Sequence, residues 1–297
     1  MTLAEVLKTL GCLTAAFNEN PMIEKRFQYN QGYEMGKTND RRHRPTLKSM
    51  KRFDKKIFKW IRKNKGQRFF LYIHYIDPHS PYFAPSSFRG IFSGKKIRRS
   101  SKRRTFPKDV DSEYRNEMEY IISSLFYKDL GHMIASYDEE IRYINSRFRS
   151  LVDHLKKLGL LNRTLVIFLS DHGEGFLEHG FLYHSYSVNA ELVNMPLIIR
   201  CPGVFAPGKD NRLVQHIDIY PTILEALRIS QDTLNLEGRS LLSEPRDLAR
   251  NHKEVVEKLR EYLVNWQKRI DKDRKKAVRK PMDKKHIKKL KSLGYIH

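Results

Sequence analysis

Two stretches of this sequence place histidines and carboxylates directly after an apolar run. The first is Asp77-Pro78-His79-Ser80-Pro81-Tyr82, after the run 68–76, and the second is Ser170-Asp171-His172-Gly173-Glu174, after the run 164–169. Five of the twelve histidines fall in or beside these windows: His74, His79, His172, His179 and His184. A carboxylate oxygen and a neutral imidazole nitrogen can hold a divalent metal, and further histidines can donate protons or bind an anion. The shared design of the windows indicates one joint active site.

Each window taken alone also has a purely structural interpretation. A single Asp-His pair at a strand end more often makes hydrogen bonds than binds a metal. Gly173 follows the second pair, where we expect it to let the backbone turn. The joint site is therefore predicted from the two windows together and not from either one.

The elements that must position these windows are helices alternating with short buried strands. Thr2 and Glu5 form a capping box that begins a helix ending near Gly11. Further helices are predicted at 47–65, 141–158, 218–227, 252–270 and 283–293, and strands at 14–17, 68–76, 164–169 and 196–200. This alternation predicts an α/β fold with a mostly parallel central sheet and helices on both faces. Ligands bind outside the carboxyl ends of the strands in such sheets, which is where both windows lie.

Composition excludes several classes of protein. The chain has 297 residues, 40% of them apolar, which is enough for a sizeable core. Cys12 and Cys201 allow at most one disulfide, so a disulfide scaffold is excluded. No apolar run is long enough to span a membrane, and no signal peptide follows Met1. The compartment is therefore not readable, and a cytoplasmic location is the default expectation.

The net charge of +23 is concentrated in two segments. Residues 37–108 hold 23 Lys and Arg against three acids, and 251–297 hold 16 against six. One interpretation is a contact surface for a polyanion such as nucleic acid, acidic lipid or a sulfated polymer. The other is a solvated helix face with a basic tail. No RNA-binding signature and no zinc-finger spacing accompanies the charge.

Several motifs resemble the sulfatase family of the alkaline-phosphatase-like superfamily. The stretch 164–203 reads LVIFLSDHGEGFLEHG and then PLIIRCPG, which is similar to that family's Ser-Asp-His/Asn-Gly pattern and the strand that follows it. Four other stretches match in the family's order: TLAEVLKTLGCLTAAF, FLYIHYIDPHSPY, HIDIYPTILEALRI with LEGRSLL, and LKSLGYI. The resemblance implies a sulfatase-like α/β domain over 1–245, with a basic insertion at about 83–110. A basic helical extension over 246–297 ends in LKSLGYI.

The resemblance implies hydrolysis of sulfate esters with a divalent metal, calcium first, with Mg²⁺, Mn²⁺ or Zn²⁺ as alternatives. Asp171 and His172 match two metal-ligand positions of the family. His79 matches the histidine that contacts the ester and could protonate the leaving oxygen. His184 matches the position of a Lys or His against the sulfate. The implied partner is a sulfate ester or another anionic substrate, and the oligomeric state is not readable.

This sequence also departs from the family pattern. It has no Asp-Asp pair, which supplies further metal ligands in the family, and no Cys/Ser-x-Pro-x-Arg stretch, from which the family makes its formylglycine nucleophile. We therefore expect an N-terminally incomplete fold and a chain that is inactive alone. Two alternatives stay open: a phosphatase, phosphodiesterase or phosphonate-ester hydrolase of the same superfamily, and a non-catalytic relative that binds a polyanion through 37–108.

Overall fold

The computed structural model describes residues 1–20, 23, 29–33, 35–38, 47–92, 127, 129–179, 182–184, 187–231 and 234–243, and also 254, 256–258, 260–265 and 268. These residues form two compact units. The first consists of Met1–Lys209 with Ala226–Leu236, and the second of Asp210–Glu225 with Glu237–His297. Most of the expected insertion and the expected helix at 283–293 lie outside the described residues. The expected domain boundary at 245 stays a prediction.

The first unit begins with a three-stranded parallel sheet. Helix α1 (Leu3–Thr9) leads into β1 (Leu13–Asn18), and the capping box of Thr2 and Glu5 is present. Strand β1 pairs in parallel with β2 (Met35–Thr38) on one side and with β3 (Phe69–His74) on the other. Helix α2 (Leu47–Asn64) connects β2 to β3. This part of the predicted α/β architecture is confirmed, while β2 was not predicted.

The second half of this unit begins with the long helix α3 (Leu130–Lys157), which Asp129 caps and which ends before Gly159. It starts eleven residues before the predicted stripe. A 3₁₀ turn (Leu161–Arg163) then leads to β4 (Val166–Leu169). The short strands β5 (Gly175–Phe176) and β6 (Leu182–Tyr183), helix α4 (Ala190–Val193) and strand β7 (Leu197–Arg200) follow.

The pairing of β4 and β7 corrects the predicted sheet. The two strands are antiparallel, with Leu169 opposite Leu197, and β5 and β6 are also antiparallel. The chain between β4 and β7 stays at the carboxyl end of β4, where Gly173 N–H donates to Leu192 O of α4 at 2.8 Å. It therefore re-enters from that end, and β7 runs back along β4. A parallel arrangement is confirmed only for β1, β2 and β3.

The core of the first unit contains a buried charge cluster. The apolar part of this core consists of Phe17, Phe53, Ile57, Ile61, Leu151 and Leu155. Arg147 of α3, 2% exposed, lies 3.0 Å from Glu19, 2.7 Å from Asp54 and 3.8 Å from Asp77. Burial raises the pKa of the Asp54 carboxyl, although Arg147 opposes that shift. One guanidinium thus ties α2 and α3 to the chain that follows β1 and β3.

The second unit contains most of α5 (Ile219–Ala226), preceded by a 3₁₀ turn (His216–Asp218). Asp218 Oδ1 accepts a hydrogen bond from Arg239 N–H at 2.8 Å, and Thr222 Oγ1 accepts one from Leu241 N–H at 2.9 Å. The described residues between 254 and 268 are helical, in agreement with the helix predicted there. No helix among the described residues is long and apolar enough to cross a membrane.

Candidate functional site

Three histidines from the two windows meet at the carboxyl ends of β3 and β4. The ring centroids of His172 and His184 lie 4.0 Å apart, and those of His79 and His184 lie 6.0 Å apart. His79 follows β3 in the chain, His172 follows β4, and His184 follows β6. The structure therefore brings together residues that are up to 105 positions apart, while their predicted roles remain predictions.

Hydrogen bonds orient all three rings in the same way. Nδ1 lies 2.7 Å from Ser80 O in His79, 2.7 Å from Gly173 O in His172 and 2.9 Å from a Glu174 oxygen in His184. A carbonyl or carboxylate oxygen only accepts a hydrogen bond, so each Nδ1 carries the proton. In the neutral ring the lone pair then lies on Nε2, which can accept a proton or bind a cation. After protonation, Nε2 can donate to an anion.

Glu174 holds the position of His184 from inside the protein. Its side chain is 4% exposed, and its second oxygen accepts a hydrogen bond from Tyr82 OH at 2.6 Å. The surroundings are apolar and aromatic, with Tyr127, Met133, Phe176, Leu182 and Tyr183 in the same buried cluster. Burial and the Glu174 carboxylate raise the pKa of Tyr82 far above its ordinary value, so Tyr82 stays a donor. Neither Glu174 nor Tyr82 was predicted as a site residue, although both lie inside the two windows.

Asp171 and His172 form one wall of a cavity of about 260 Å³. The cavity is also lined by His184, Ser187, Leu192, Val193 and Met195. The Asp171 side chain is 72% exposed, and its Oδ1 lies 3.8 Å from Nε2 of His172. His172 and His184 thus face the cavity together with a carboxylate, while His79 is not among the residues that line it.

Gly173 is required at its position by close packing and not by the turn that was expected there. Its φ lies outside the left-handed region, and a Cβ built on it would lie 2.0 Å from Glu191 O. Its N–H donates to Leu192 O at 2.8 Å. The backbone after His172 therefore lies directly on α4, which leaves no room for a side chain.

We expect Gly173→Ala to destabilise the protein and to disturb the histidine cluster. Overpacking a tight contact of this kind costs about 1–3 kcal/mol. The matched control is Gly66→Ala, because a Cβ at Gly66 would meet nothing within 4 Å. Urea unfolding measures both changes, and equal midpoints for the two variants would contradict the packing argument.

Glu140 of α3 fixes the loop that carries His79. Its carboxylate accepts a hydrogen bond from His79 N–H at 3.2 Å and another from Phe83 N–H at 2.5 Å. Tyr82 N–H donates to Tyr127 OH at 2.5 Å within the same loop. The loop after β3 is thus bound to buried groups at three successive points.

The expected metal ligands do not by themselves complete a site. Among the described residues, no group of three or more His, Cys, Asp and Glu side chains is arranged to hold a metal ion. Asp171 and His172 provide two donors, one of them largely exposed to solvent.

The other two histidines of the windows take no direct part in this cluster. His179 Nε2 lies 3.4 Å from Glu191 of α4, and its side chain is 54% exposed. His74 lies inside β3, and its buried Nδ1 has no hydrogen-bond partner among the described residues. Burial lowers the pKa of His74, so it is neutral near pH 7.

Comparison with known proteins gives a family model and several relatives. The model named Sulfatase matches residues 1–229. Arylsulfatase K of Bos taurus is 30% identical over 212 residues, which are 65% of this chain and 38% of that protein. The chain thus spans about two fifths of the length of this curated relative.

Solved structures show the same fold at low sequence identity. The phosphonate monoester hydrolase SpPMH from Silicibacter pomeroyi has a TM-score of 0.63 at 17% identity, covering 83% of this chain and 62% of that chain. A protein solved in complex with its substrate D-glucosamine-2-N,6-O-disulfate has a TM-score of 0.59 at 18% identity, covering 81% and 63%. These likenesses establish the fold and leave the substrate to be argued from the site.

Proposed function

Because the chain belongs to the sulfatase family, we propose that it carries the histidine side of a site that hydrolyses sulfate esters in the complete enzyme. The observation that carries this proposal is the meeting of His79, His172 and His184 at the ends of β3 and β4. A buried carboxylate that orients one of these rings is a further support, because a structural histidine cluster does not need it.

The proposal assigns direct contacts with the ester to His79 and His184. Both rings use Nε2, since Nδ1 is bound to Ser80 O in one and to Glu174 in the other. Protonated His184 donates a hydrogen bond to a sulfate oxygen. In the complete enzyme the sulfur forms a bond to the nucleophile as its bond to the bridging oxygen breaks. Protonated His79 gives its proton to that bridging oxygen, so that the organic product leaves as a neutral alcohol. Charge developing on the oxygens is thereby stabilised by donors already in place.

The nucleophile is the part of the reaction that this sequence does not supply in the family's form. It contains neither a Cys/Ser-x-Pro-x-Arg stretch nor an Asp-Asp pair. We therefore expect this chain to bind an aryl sulfate without hydrolysing it. Asp171 and His172 are proposed as its contribution to a divalent cation site, with Ca²⁺ ahead of Mg²⁺, Mn²⁺ and Zn²⁺.

Titration of the full chain with 4-nitrophenyl sulfate tests the proposal. We expect the ring nitrogen signals of His79 and His184 to shift in NMR spectra, while those of His154, stacked on Phe58, stay in place. His184→Gln should raise Kd about tenfold, because a hydrogen bond to a charged group contributes about 1.5 kcal/mol or more. His179→Gln is the matched control and should leave Kd unchanged. Unchanged ring signals of His79 and His184, or equal effects of the two variants on Kd, would refute ester binding at this site. Release of nitrophenolate would refute the expectation that this chain lacks a nucleophile.

A second candidate function is hydrolysis of phosphonate or phosphate esters. It is favoured by the shared fold with the phosphonate monoester hydrolase and by the Asp171-His172 pair, which suits that branch of the superfamily as well. The same titration with 4-nitrophenyl phenylphosphonate separates the two candidates. Tighter binding of the phosphonate ester than of the sulfate ester would favour this second function.

A further inference from the structure

We propose that the outer face of α2 is a binding surface for a linear sulfated polysaccharide. The cationic face consists of eight exposed side chains on α2 and the residue after it: Lys51, Arg52, Lys55, Lys56, Lys59, Arg62, Lys63 and Lys65. The polymer class rests on the proposed function, because a site for sulfate esters needs a sulfated substrate.

The apolar side of α2 packs against the core and is buried there. Phe53, Ile57 and Ile61 recur at four-residue steps and are at most 1% exposed. The remaining side of the helix therefore faces solvent, and there the sequence places cations. A helix with this pattern does not need such a density of charge to stay folded.

The only acid of α2 is turned away from the cationic face. Asp54 Oδ1 accepts a hydrogen bond from Arg147 at 2.7 Å inside the protein. Across the described part of the chain, no carboxylate forms an ion pair with any of the eight cations. The internal ion pair thus holds the one negative charge of α2 away from this surface.

The spacing of the cations suits an extended polymer. Lys51, Lys55, Lys59 and Lys63 lie at four-residue steps, so they form a row about 18 Å long with neighbours about 6 Å apart. A single small anion would use one or two of these groups. A chain that carries an anion on each repeat can use the whole row.

This face lacks the contacts that single-stranded nucleic acids and membrane-inserted helices use. No exposed aromatic side chain lies among residues 51–65, so stacking of nucleic-acid bases has no platform there. A helix that lies in a membrane surface inserts its apolar side, and that side of α2 is buried. Sulfated polysaccharide needs neither contact.

The cationic face is also tied to the candidate site. Arg147 binds Asp54 of α2 at 2.7 Å and lies 3.8 Å from Asp77, two residues before His79. A polymer held on α2 would therefore be held on an element that shares its anchor with the His79 loop.

Heparin binding by two matched variants of the full chain tests the proposal. The first variant is Lys51→Gln/Lys55→Gln/Lys59→Gln/Lys63→Gln. The control removes four exposed cations of α3: Arg142→Gln/Arg149→Gln/Lys156→Gln/Lys157→Gln. We expect the α2 variant to raise Kd for heparin at least about tenfold at a fixed salt concentration and the control to raise it less than about threefold. In the α2 variant, the slope of log Kd against log salt concentration should decrease by an amount that corresponds to about three to four ionic contacts.

Equal losses of heparin affinity in the two variants would overturn the proposal, since binding would then depend only on the total charge of the chain. Double-stranded DNA and vesicles with anionic lipid are run at the same salt. If either of them binds the parent chain as tightly as heparin does, and loses as much affinity in the α2 variant, the polysaccharide assignment is wrong. Because heparin binding does not involve nitrophenyl sulfate, this result is independent of the test of the histidine site. Thermal melts of both variants confirm that the chain stays folded.

Discussion

Arg147→Met is expected to unfold a large fraction of the protein in conditions where the parent is folded. The substitution keeps a long apolar side chain against Tyr75 but leaves Glu19, Asp54 and Asp77 without their shared cation. Removing one partner of a buried ion pair costs about 3–5 kcal/mol, and Glu19 is fully buried. Because a domain of this size is stable by only about 5–15 kcal/mol, the midpoint of urea unfolding should fall sharply.

The matched control for this prediction is Arg142→Met, on the same helix but exposed. It should change the free energy of unfolding by no more than about 0.5 kcal/mol. The double variant Glu19→Gln/Arg147→Met should recover part of the loss, since it removes one of the buried charges that lose the guanidinium. Similar midpoints for Arg147→Met and Arg142→Met would show that the cluster does not stabilise the fold.

Glu174→Leu is expected to release His184 and to weaken ester binding as strongly as removal of His184 itself. The leucine leaves Tyr82 OH and His184 Nδ1–H without their acceptor. Each buried donor left without a partner costs about 1–3 kcal/mol, so the loss of both acceptors should also lower the stability by about 2–6 kcal/mol. The decisive measurement is the nitrogen shift of the His184 ring, which reports whether the proton still resides on Nδ1.

Glu174→Gln provides the conservative comparison. Its amide oxygen can still accept from His184, and its NH₂ group can donate to Tyr82 once the hydroxyl rotates. We therefore expect near-parent stability and an unchanged His184 ring signal. Retention of the parent signal in Glu174→Leu would mean that another group orients His184.

The parts of the fold that depend on local sequence could be predicted. The capping box of Thr2 and Glu5 and the apolar runs of β3 and β4 depend on neighbouring residues, and the structure contains all three elements. The direction of β7 could not be predicted, because an apolar run does not encode which way a strand is paired. The early start of α3 was missed although the sequence carried a signal for it, since Leu130, Met133, Ile134 and Tyr137 continue the three- and four-residue steps of the apolar stripe.

The same division applies to the candidate site. The polar windows after β3 and β4 predicted that His79, His172 and His184 would lie together, and they do, although the described residues place β3 and β4 in separate sheets. The hydrogen bond between Glu174 and His184 depends on side-chain directions, which the spacing of residues in the sequence does not determine. Arg147 did leave a signal, because it lies three residues after Ile144 and four before Leu151 and so falls on the buried stripe. A charge in such a position needs a buried partner.

The contacts of Glu140 bear on the entropy of ligand association. Both of its oxygens accept from backbone N–H groups of the His79 loop, so the loop is ordered before any ester arrives. Freezing a loop at the moment of binding would subtract from affinity. Here that ordering has already occurred during folding, and an arriving anion should meet a rigid receptor whose association is limited by encounter and not by rearrangement.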